Sequence, residues 1–207
     1  SFYSNLDAGT AAVGPTPWND EPGLEDAWLS AVQGFDPEEW MDPRVAAGTD
    51  LFAQYAIAAA VQAVESSRLD PRGDERTGVV VGTSCAGVDS ITSSQRGFSE
   101  RGVEGIDRKL QIKTWPNMAA GQIALRYELH GPLLTVATAC ASSIDALGHA
   151  ARLIEAGDCD AAIAGGTDAA WSQVVLIAAG LYGMFQPQPD KAKACRPFHT
   201  ERFGIMG

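Results

Sequence analysis

The chain has 207 residues, of which 15 are Lys or Arg and 26 are Asp or Glu, so its formal net charge is -11. This acidity disfavours nucleic acid or an anionic membrane surface as the main partner. Hydrophobic residues make up 45% of the chain and charged residues 20%, which excludes wholesale disorder and indicates a chain that can bury a core.

The first 50 residues carry most of the net negative charge, because they contain ten acids and a single base, Arg44. Five prolines and three tryptophans lie in the same stretch. We predict irregular connections and short helices packed by aromatic side chains, with a turn or helix start at Asp36-Pro37-Glu38-Glu39. We interpret residues 1–50 as an irregular acidic segment of the same domain as the rest, and its charge as a solvated face.

A helix and then a strand follow this segment. Apolar residues recur at helical spacing from Leu51 onward, and Asp50 or Thr49 is placed to cap that helix. Thr77–Gly82 is a short β-branched run bounded by glycine, which predicts a buried strand.

The clearest unit is a strand, a helix and a strand at residues 133–137, 141–155 and 161–166. Such a unit predicts a right-handed crossover that joins parallel strands. Before it, residues 117–128 fit a helix, whereas residues 88–101 are polar and fit a helix or a loop. The sequence therefore predicts an α/β fold with a mostly parallel sheet covered by helices on both faces.

The cysteine pattern argues against a metal site. Cys85, Cys140, Cys159 and Cys195 form no CxxC pair and lack the accompanying histidine spacing that zinc requires. Scattered cysteines in a chain of this length indicate a reducing cytoplasm rather than disulfide staples. No apolar run approaches the roughly 18 residues that a membrane helix needs, so we expect a soluble protein without a membrane partner.

Chemistry concentrates at Cys140, in the turn between the strand at 133–137 and the helix at 141–155. This turn lies at the carboxyl edge of a parallel sheet, where open α/β sheets place their ligands. The positive end of a helix dipole favours a thiolate, which is the nucleophilic form, and backbone amides there could stabilise an oxyanion. The alternative is that Cys140 is one more small, buried core residue.

A resemblance to a known family is carried by the stretch GPLLTVATACASSIDALGHAARLIEAGDCDAAIAGGTDA, residues 131–169. It is similar to the active-site region of the β-ketoacyl-acyl carrier protein synthases, the ketosynthases of fatty acid and polyketide assembly. Further similar segments are LFAQYAIAAAVQA (51–63), GVVVGTS (78–84), PNMAAGQIALRYELHGP (116–132) and RPFHTERFGIMG (196–207).

The resemblance implies a thiolase-like layered fold built from two similar halves, of which residues 51–207 form the N-terminal half without the family's opening strand. It implies that Cys140 accepts an acyl group from acyl carrier protein, and that the carbanion from malonyl-carrier decarboxylation attacks the resulting thioester. The family's two catalytic histidines and its lysine lie in the C-terminal half. We interpret His130, His149 and His199 as surface or structural residues. No cofactor is implied.

Other positions follow from the same resemblance. Cys85, Ala179 and Gln111 correspond to substrate-binding positions: Cys85 to the wall of the acyl pocket, and Ala179 to a gate where elongating enzymes often carry a bulky side chain. A small gate would admit a longer or bulkier acyl chain. The apolar stripe of the helix at 117–128 matches a dimer-interface region, which implies a homodimer or a heterodimer with a ketosynthase-like subunit; a plain core helix has the same pattern.

Docking of the acidic carrier protein would rely on Arg44, Arg108, Lys109 and Lys113. Where many family members have a run of Lys and Arg before the Leu51 helix, only Arg44 is basic here. A second departure lies at residues 201–204, where Glu-Arg-Phe-Gly replaces the usual Arg-Asp-Gly-Phe. These departures favour polyketide or polyene assembly over housekeeping fatty acid elongation.

Alternatives to a condensing enzyme stay open. One is a non-catalytic chain-length-controlling partner subunit, against which Cys140 argues because such partners commonly lose the nucleophile. Another is a thiolase-fold acyltransferase that uses coenzyme A thioesters, against which the absence of a basic nucleotide-binding run argues. A binding module without chemistry is the remaining possibility.

Overall fold

The computed structural model describes residues 2–10, 12–169, 172–184, 188, 190 and 193–202. It divides into two compact units, one made of Ser1–Phe35 with Trp171–Gly207 and the other of Asp36–Ala170. The helices of the described chain are α1 (Phe2–Asp7), α2 (Pro43–Ala46), α3 (Leu51–Ser67), α4 (Val88–Arg101), α5 (Leu110–Thr114), α6 (Met118–Tyr127), α7 (Ser142–Glu155) and α8 (Gln173–Leu181). The strands are β1 (Gly14–Pro15), β2 (Trp28–Leu29), β3 (Thr77–Gly82), β4 (Leu133–Val136) and β5 (Ala161–Gly166).

The Asp36–Ala170 unit is built on a parallel sheet with the strand order β4-β3-β5. Val79 pairs with Leu133 on one side and with Ile163 on the other, and both ladders are parallel. The predicted parallel crossover from β4 through α7 to β5 is therefore present, although it passes over β3 rather than joining neighbours. All six residues of β3 are buried, as the continuous apolar run predicts.

Helices cover both faces of this sheet, which confirms the predicted α/β class. Val79 and Val81 pack with α3 and α6 on one face. Val80, which points the other way because side chains alternate along a strand, packs against Ala146 and Ala150 of α7. Since Ala146 and Ala150 are one helical turn apart, α7 meets the sheet along a stripe of small side chains.

Local signals explain where these helices begin. The Asp50 carboxylate accepts a hydrogen bond from the Phe52 backbone N–H at 3.3 Å, so Asp50 is the cap of α3. Asp36 caps a short 3-10 helix at Pro37–Glu39 in the same way, and the sequence predicts a turn or helix start at this position. The polar residues 88–101, for which the sequence allows a helix or a loop, form α4.

The stripe predicted at a dimer interface is only partly exposed. Ile123 is 2% exposed and lies in the core beneath α3, so it is not available to a second subunit. Leu125, which lies on the other side of α6, is 71% exposed. The sequence pattern is the same for a core helix and for an interface helix, and burial separates the two.

Within its described residues, the other unit contains the helices α1 and α8 and the short strands β1 and β2. β1 and β2 pair antiparallel over two residues each. A small core forms where Leu24, Ala27 and Leu29 pack with Leu176 of α8. Among the described residues no helix is both long enough and apolar enough to span a membrane.

Candidate active site

Cys140 lies in a short 3-10 turn, Ala139–Ala141, between the end of β4 and the start of α7. Its side chain is exposed, which argues against a buried core cysteine. The preceding residue, Ala139, has a φ of 53, in the left-handed region that residues with a Cβ rarely adopt. The backbone thus turns sharply immediately before the thiol.

Ser142 holds this turn in place. Its hydroxyl oxygen accepts a hydrogen bond from the Thr138 backbone N–H at 2.9 Å and lies 2.6 Å from the Ala139 carbonyl oxygen. The same oxygen lies 3.3 Å from the Thr83 carbonyl oxygen, at the end of β3. Because Ser142 is 4% exposed, these contacts are shielded from water and connect the cysteine turn to the neighbouring strand end.

Two glycines let α7 approach the strand ends closely. A Cβ added at Gly82 would lie 2.2 Å from the Ser142 carbonyl oxygen, and one added at Gly166 would lie 2.5 Å from the Ser143 Cβ. These glycines are the last residues of β3 and β5. The first turn of α7, and with it Cys140, is therefore seated directly on the carboxyl edge of the sheet.

A carboxylate on α7 closes the turn on its outer side. The Thr138 hydroxyl donates to the Asp145 carboxylate at 2.5 Å. Asp145 lies in the first turn of α7, where the helix dipole favours negative charge.

Cys85 lies in the loop that follows β3, beside the Cys140 turn. Asp168, just beyond β5, accepts hydrogen bonds from the Ser84 N–H at 2.5 Å and from the Cys85 N–H at 3.2 Å. Within the loop, the Thr83 hydroxyl oxygen accepts from the Ala86 N–H at 3.2 Å. Ala86 has a φ of 49, and Cys85 is exposed.

Neither histidine of the Asp36–Ala170 unit lies beside Cys140. The His130 N–H donates to the Asp74 carbonyl oxygen at 3.1 Å, ahead of the amino ends of the strands. His149 lies on the exposed side of α7, and Nδ1 of His199 accepts from the Glu201 N–H at 3.0 Å in the other unit. Neither His130 nor His149 pairs with Cys140.

The remaining cysteines have different surroundings. Cys159 is buried at the amino end of the sheet, and Cys195 is exposed in the other unit. No cluster of metal-ligating side chains occurs within the described ranges. Cys140 is exposed and lies in the 3-10 turn that runs directly into α7.

The predicted carrier-docking residues differ in their availability. Arg44, Arg108 and Lys109 are exposed. Lys113 is 18% exposed in its side chain and donates to the Asp107 carboxylate at 2.7 Å. That hydrogen bond, together with one from the Lys109 N–H, holds the pKa of Asp107 below its usual value.

The other predicted substrate positions lie on different elements. Gln111 is exposed on α5. Ala179 is 8% exposed on α8, which belongs to the unit that does not contain Cys140. The final residues of the RPFHTERFGIMG segment, 203–207, lie outside the described residues.

Sequence reasoning missed Ser142, Asp168 and Thr83. Ser142 carried a usable signal, because serine hydroxyls hydrogen-bond main-chain groups three or four residues earlier in the chain. Thr83 and Asp168 each follow a strand of the same sheet, and the carboxyl ends of parallel strands meet at one edge. The pairing of these two strands, rather than either residue alone, brings them together.

Comparison with known proteins points to a single family. A family model described as "Beta-ketoacyl synthase, N-terminal domain" matches residues 7–204. A 3-oxoacyl-[acyl-carrier-protein] synthase 2 of Vibrio cholerae is 32% identical over 209 residues, covering 100% of this chain and 50% of the relative. One of Rhizobium meliloti is 34% identical over 179 residues, covering 84% and 42%. The chain thus spans about half the length of the curated relatives that it matches.

Solved structures resemble most of the chain. The ishigamide ketosynthase/chain length factor matches with a TM-score of 0.87 at 25% identity, covering 99% of this chain and 50% of that one. A type II polyketide ketosynthase in complex with its acyl-carrier protein matches with a TM-score of 0.71 at 23% identity, covering 78% and 47%. The latter similarity bears on the fold alone, and together they place the described architecture among thiolase-like ketosynthases.

Proposed function

The chain belongs to the β-ketoacyl synthase family as its N-terminal domain, and we propose that the protein containing it is a condensing enzyme that is acylated on Cys140. Acyl carrier protein is the donor, and malonyl-carrier supplies the extending unit. The observation that carries this proposal is the exposed Cys140 thiol at the start of α7, on the carboxyl edge of the sheet.

The acylation step follows from this placement. The Cys140 thiolate attacks the carbonyl carbon of the acyl thioester, the carbon–sulfur bond to the carrier breaks, and the carrier thiol leaves with the proton that Cys140 gave up. The positive end of the α7 dipole faces the negative charge that develops during the attack. Small neighbours, Ala139 and Ala141, leave room for the approaching carbonyl.

Condensation requires more than these residues provide. When malonyl-carrier loses carbon dioxide, the resulting enolate attacks the acyl-Cys140 carbonyl, and the developing charge needs stabilisation. Within the unit that contains Cys140, His130 and His149 lie away from the thiol. We assign this role to a histidine pair and a lysine of the rest of the protein, as the family resemblance implies.

Carrier docking is proposed at Arg44, Arg108 and Lys109. A Cβ added at Gly48, directly after α2, would lie 3.4 Å from Lys109 Nζ, so Lys109 and the α2 segment with Arg44 lie on the same surface. These charges complement an acidic carrier. Lys113 contributes less to the field, because Asp107 already neutralises its charge.

We assign the enzyme to polyketide or polyene assembly rather than fatty acid elongation. Support comes from Glu201, which replaces the family's usual arginine and pairs with Arg196 at 3.1 Å. The small Ala179 at the gate position and the likeness to the ishigamide ketosynthase/chain length factor point in the same direction. That likeness also favours a heterodimer. A non-catalytic partner subunit is the second candidate, and the exposed Cys140 argues against it.

Acyl transfer to the intact protein tests the assignment. Incubation with acyl-carrier thioesters, followed by peptide mapping in a mass spectrometer, should place the acyl group on Cys140. Cys140→Ala should remove the adduct, while Cys85→Ala should retain it, since Cys85 is proposed only as a pocket wall. Subsequent addition of malonyl-carrier should release a β-ketoacyl product. An adduct of full strength on Cys140→Ala would overturn the proposal.

A further inference from the structure

The loop after β3, Thr83–Ala86, is held from two sides. On the side of β4, the Ser142 hydroxyl lies 3.3 Å from the Thr83 carbonyl oxygen. On the side of β5, the Asp168 carboxylate accepts from the N–H groups of Ser84 and Cys85. The loop therefore has one anchor on the Cys140 turn and a second anchor that is separate from it.

The second anchor joins the Asp168 carboxylate to the backbone of the loop after another strand. Asp168 bonds backbone N–H groups from two successive residues, and it does so across the sheet rather than within its own turn. Hydrogen bonds from N–H groups to a carboxylate are charge-assisted and stronger than those between neutral groups. The anchor therefore fixes main chain, which sets the direction of the Cys85 side chain.

The loop contains a residue in an unfavourable backbone conformation, and the anchor helps to hold it there. Ala86 has a φ of 49, a left-handed conformation that is unfavourable for a residue with a Cβ. A loop with such a residue relaxes unless its surroundings over-determine it. The Thr83 hydroxyl supplies one constraint at the Ala86 N–H, and Asp168 supplies the others.

We propose that Asp168 is a positioning residue that sets acyl-chain selectivity by fixing the Cys85 loop as a rigid wall of the acyl pocket. The inference rests on the proposed function, because it takes Cys140 as the acylated residue and Cys85 as the wall. Asp168 acts through the loop and takes no part in bond making. If this wall moves, donors whose acyl chain reaches it bind more weakly, and the binding of shorter donors does not change.

The test compares Asp168→Ala and Asp168→Asn with Asp168→Glu, which retains a carboxylate, in the intact protein. Asp160→Asn is the matched control, because Asp160 precedes the same strand at its opposite end and pairs with Arg76 at 2.7 Å. The first readout is amide exchange at Ser84 and Cys85. Loss of the carboxylate should speed this exchange about tenfold, consistent with the loss of a hydrogen bond to a charged group.

The second readout is kinetic. Across a series of acyl donors of increasing chain length, the Ala and Asn variants should raise KM about fivefold for the long donors only, with kcat within about twofold of wild type. Asp168→Glu should restore part of the discrimination, and Asp160→Asn should match wild type. If Asp168 had a purely structural role, its replacement would lower kcat/KM for all donors together.

The outcomes separate the two levels of the argument. If wild type is not acylated on Cys140, the proposed function fails, and exchange at Ser84 and Cys85 still decides whether Asp168 holds the loop. If wild type is acylated but the Asp168 variants keep the wild-type exchange and donor preference, the inference is wrong. An equal loss of kcat for every donor would also overturn it.

Discussion

Cys140 and Cys85 occupy comparable places with different surroundings. Each follows one of two neighbouring parallel strands, β4 or β3, and each is exposed at the carboxyl edge of the sheet. Each also adjoins an alanine in the left-handed region, Ala139 before Cys140 and Ala86 after Cys85. Residue type and backbone strain therefore do not distinguish the two cysteines.

The partners of the adjacent backbone do distinguish them. The Cys85 N–H is bound to the Asp168 carboxylate, so a negative charge already lies beside it and opposes an oxyanion. Both cysteines precede a 14-residue helix, α7 after Cys140 and α4 after Cys85. A 3-10 turn carries Cys140 directly into α7, whereas Ala86 and Gly87 separate Cys85 from α4. A cysteine becomes a candidate nucleophile through the electrostatics of its turn, and the same side chain beside a carboxylate serves better as a wall.

The largest effect should come from separating α7 from the sheet. Gly82→Ala and Gly166→Ala would each push a Cβ into the first turn of α7, and a backbone oxygen 2.2 Å away cannot move aside by changing rotamer. We expect each to lower the free energy of unfolding by about 3 kcal/mol. The displaced turn should lower Cys140 acylation about a hundredfold.

Gly165→Ala is the matched control for this pair. It lies beside Gly166 in β5, and a Cβ there meets no atom within 4 Å. Thermal unfolding and acylation of Gly165→Ala should match wild type. If all three variants behave alike, close seating of α7 is not what makes the Cys140 turn different from the Cys85 loop.

Removing the link between the two loops should have a smaller effect. Ser142→Ala leaves the Thr138 N–H without its acceptor in a site that is 4% exposed, which should cost about 2 kcal/mol. Acylation of Cys140 should fall about tenfold as the turn loosens. Ser143→Ala, one residue later and exposed, is the control and should change neither denaturant midpoint nor rate.

Much of the scaffold could be predicted from the sequence, because its signals are local. Thr77–Gly82 and Ala161–Gly166 are strands with the predicted bounds, and the Leu51 helix begins at Asp50, one of its two predicted caps. The apolar run and the cap residue carry that information by themselves. The turn at Cys140 was predictable for the same reason.

The rest depended on contacts between distant residues. Asp168 binds the N–H groups of Ser84 and Cys85 only because β5 pairs with β3. The residues near Asp168 in the sequence do not predict that pairing. Ile123 fits a core stripe and an interface stripe equally well, and only its burial against α3 decides. From the sequence, Lys113 is predicted to be a free charge for carrier docking. In the structure it forms an ion pair with Asp107.

The two alanines in the left-handed region allow a direct test of the difference between the two loops, with a smaller expected effect on stability. Ala139→Gly and Ala86→Gly should each relieve the Cβ strain while adding freedom to the unfolded chain, leaving a net gain in stability of about 1 kcal/mol or less. The functional effects should differ. Ala139→Gly should slow acylation, because the Cys140 turn gains freedom, whereas Ala86→Gly should alter donor preference. Chemical denaturation and single-turnover acylation measure the two effects, and identical behaviour would erase the distinction between the loops.

The smallest effect concerns the first-turn carboxylates of the helices that follow the two cysteines. In α7, Asp145 accepts from Thr138. In α4, burial and then the charge of Asp50 raise the pKa of Asp89. A helix N-terminus favours a carboxylate by about 0.5 kcal/mol, and the raised pKa shows that burial and Asp50 outweigh this at Asp89.

The sign of the pH dependence follows from that raised pKa. The folded state binds the Asp89 proton more tightly than the unfolded state, so its stabilising contribution is complete below the unfolded pKa of about 3.9 and is lost as pH rises through the folded pKa. Asp89→Asn should therefore raise stability at neutral pH, by no more than about 1 kcal/mol because the group is partly solvated. The gain should vanish at acid pH, where Asp89 is protonated in both states.

Asp145→Asn should instead lower stability at neutral pH by about 0.5 kcal/mol through the lost dipole interaction. Denaturant unfolding of both variants from acid to neutral pH decides the matter, and a destabilised Asp89→Asn at neutral pH would mean that the two helix starts are electrostatically alike.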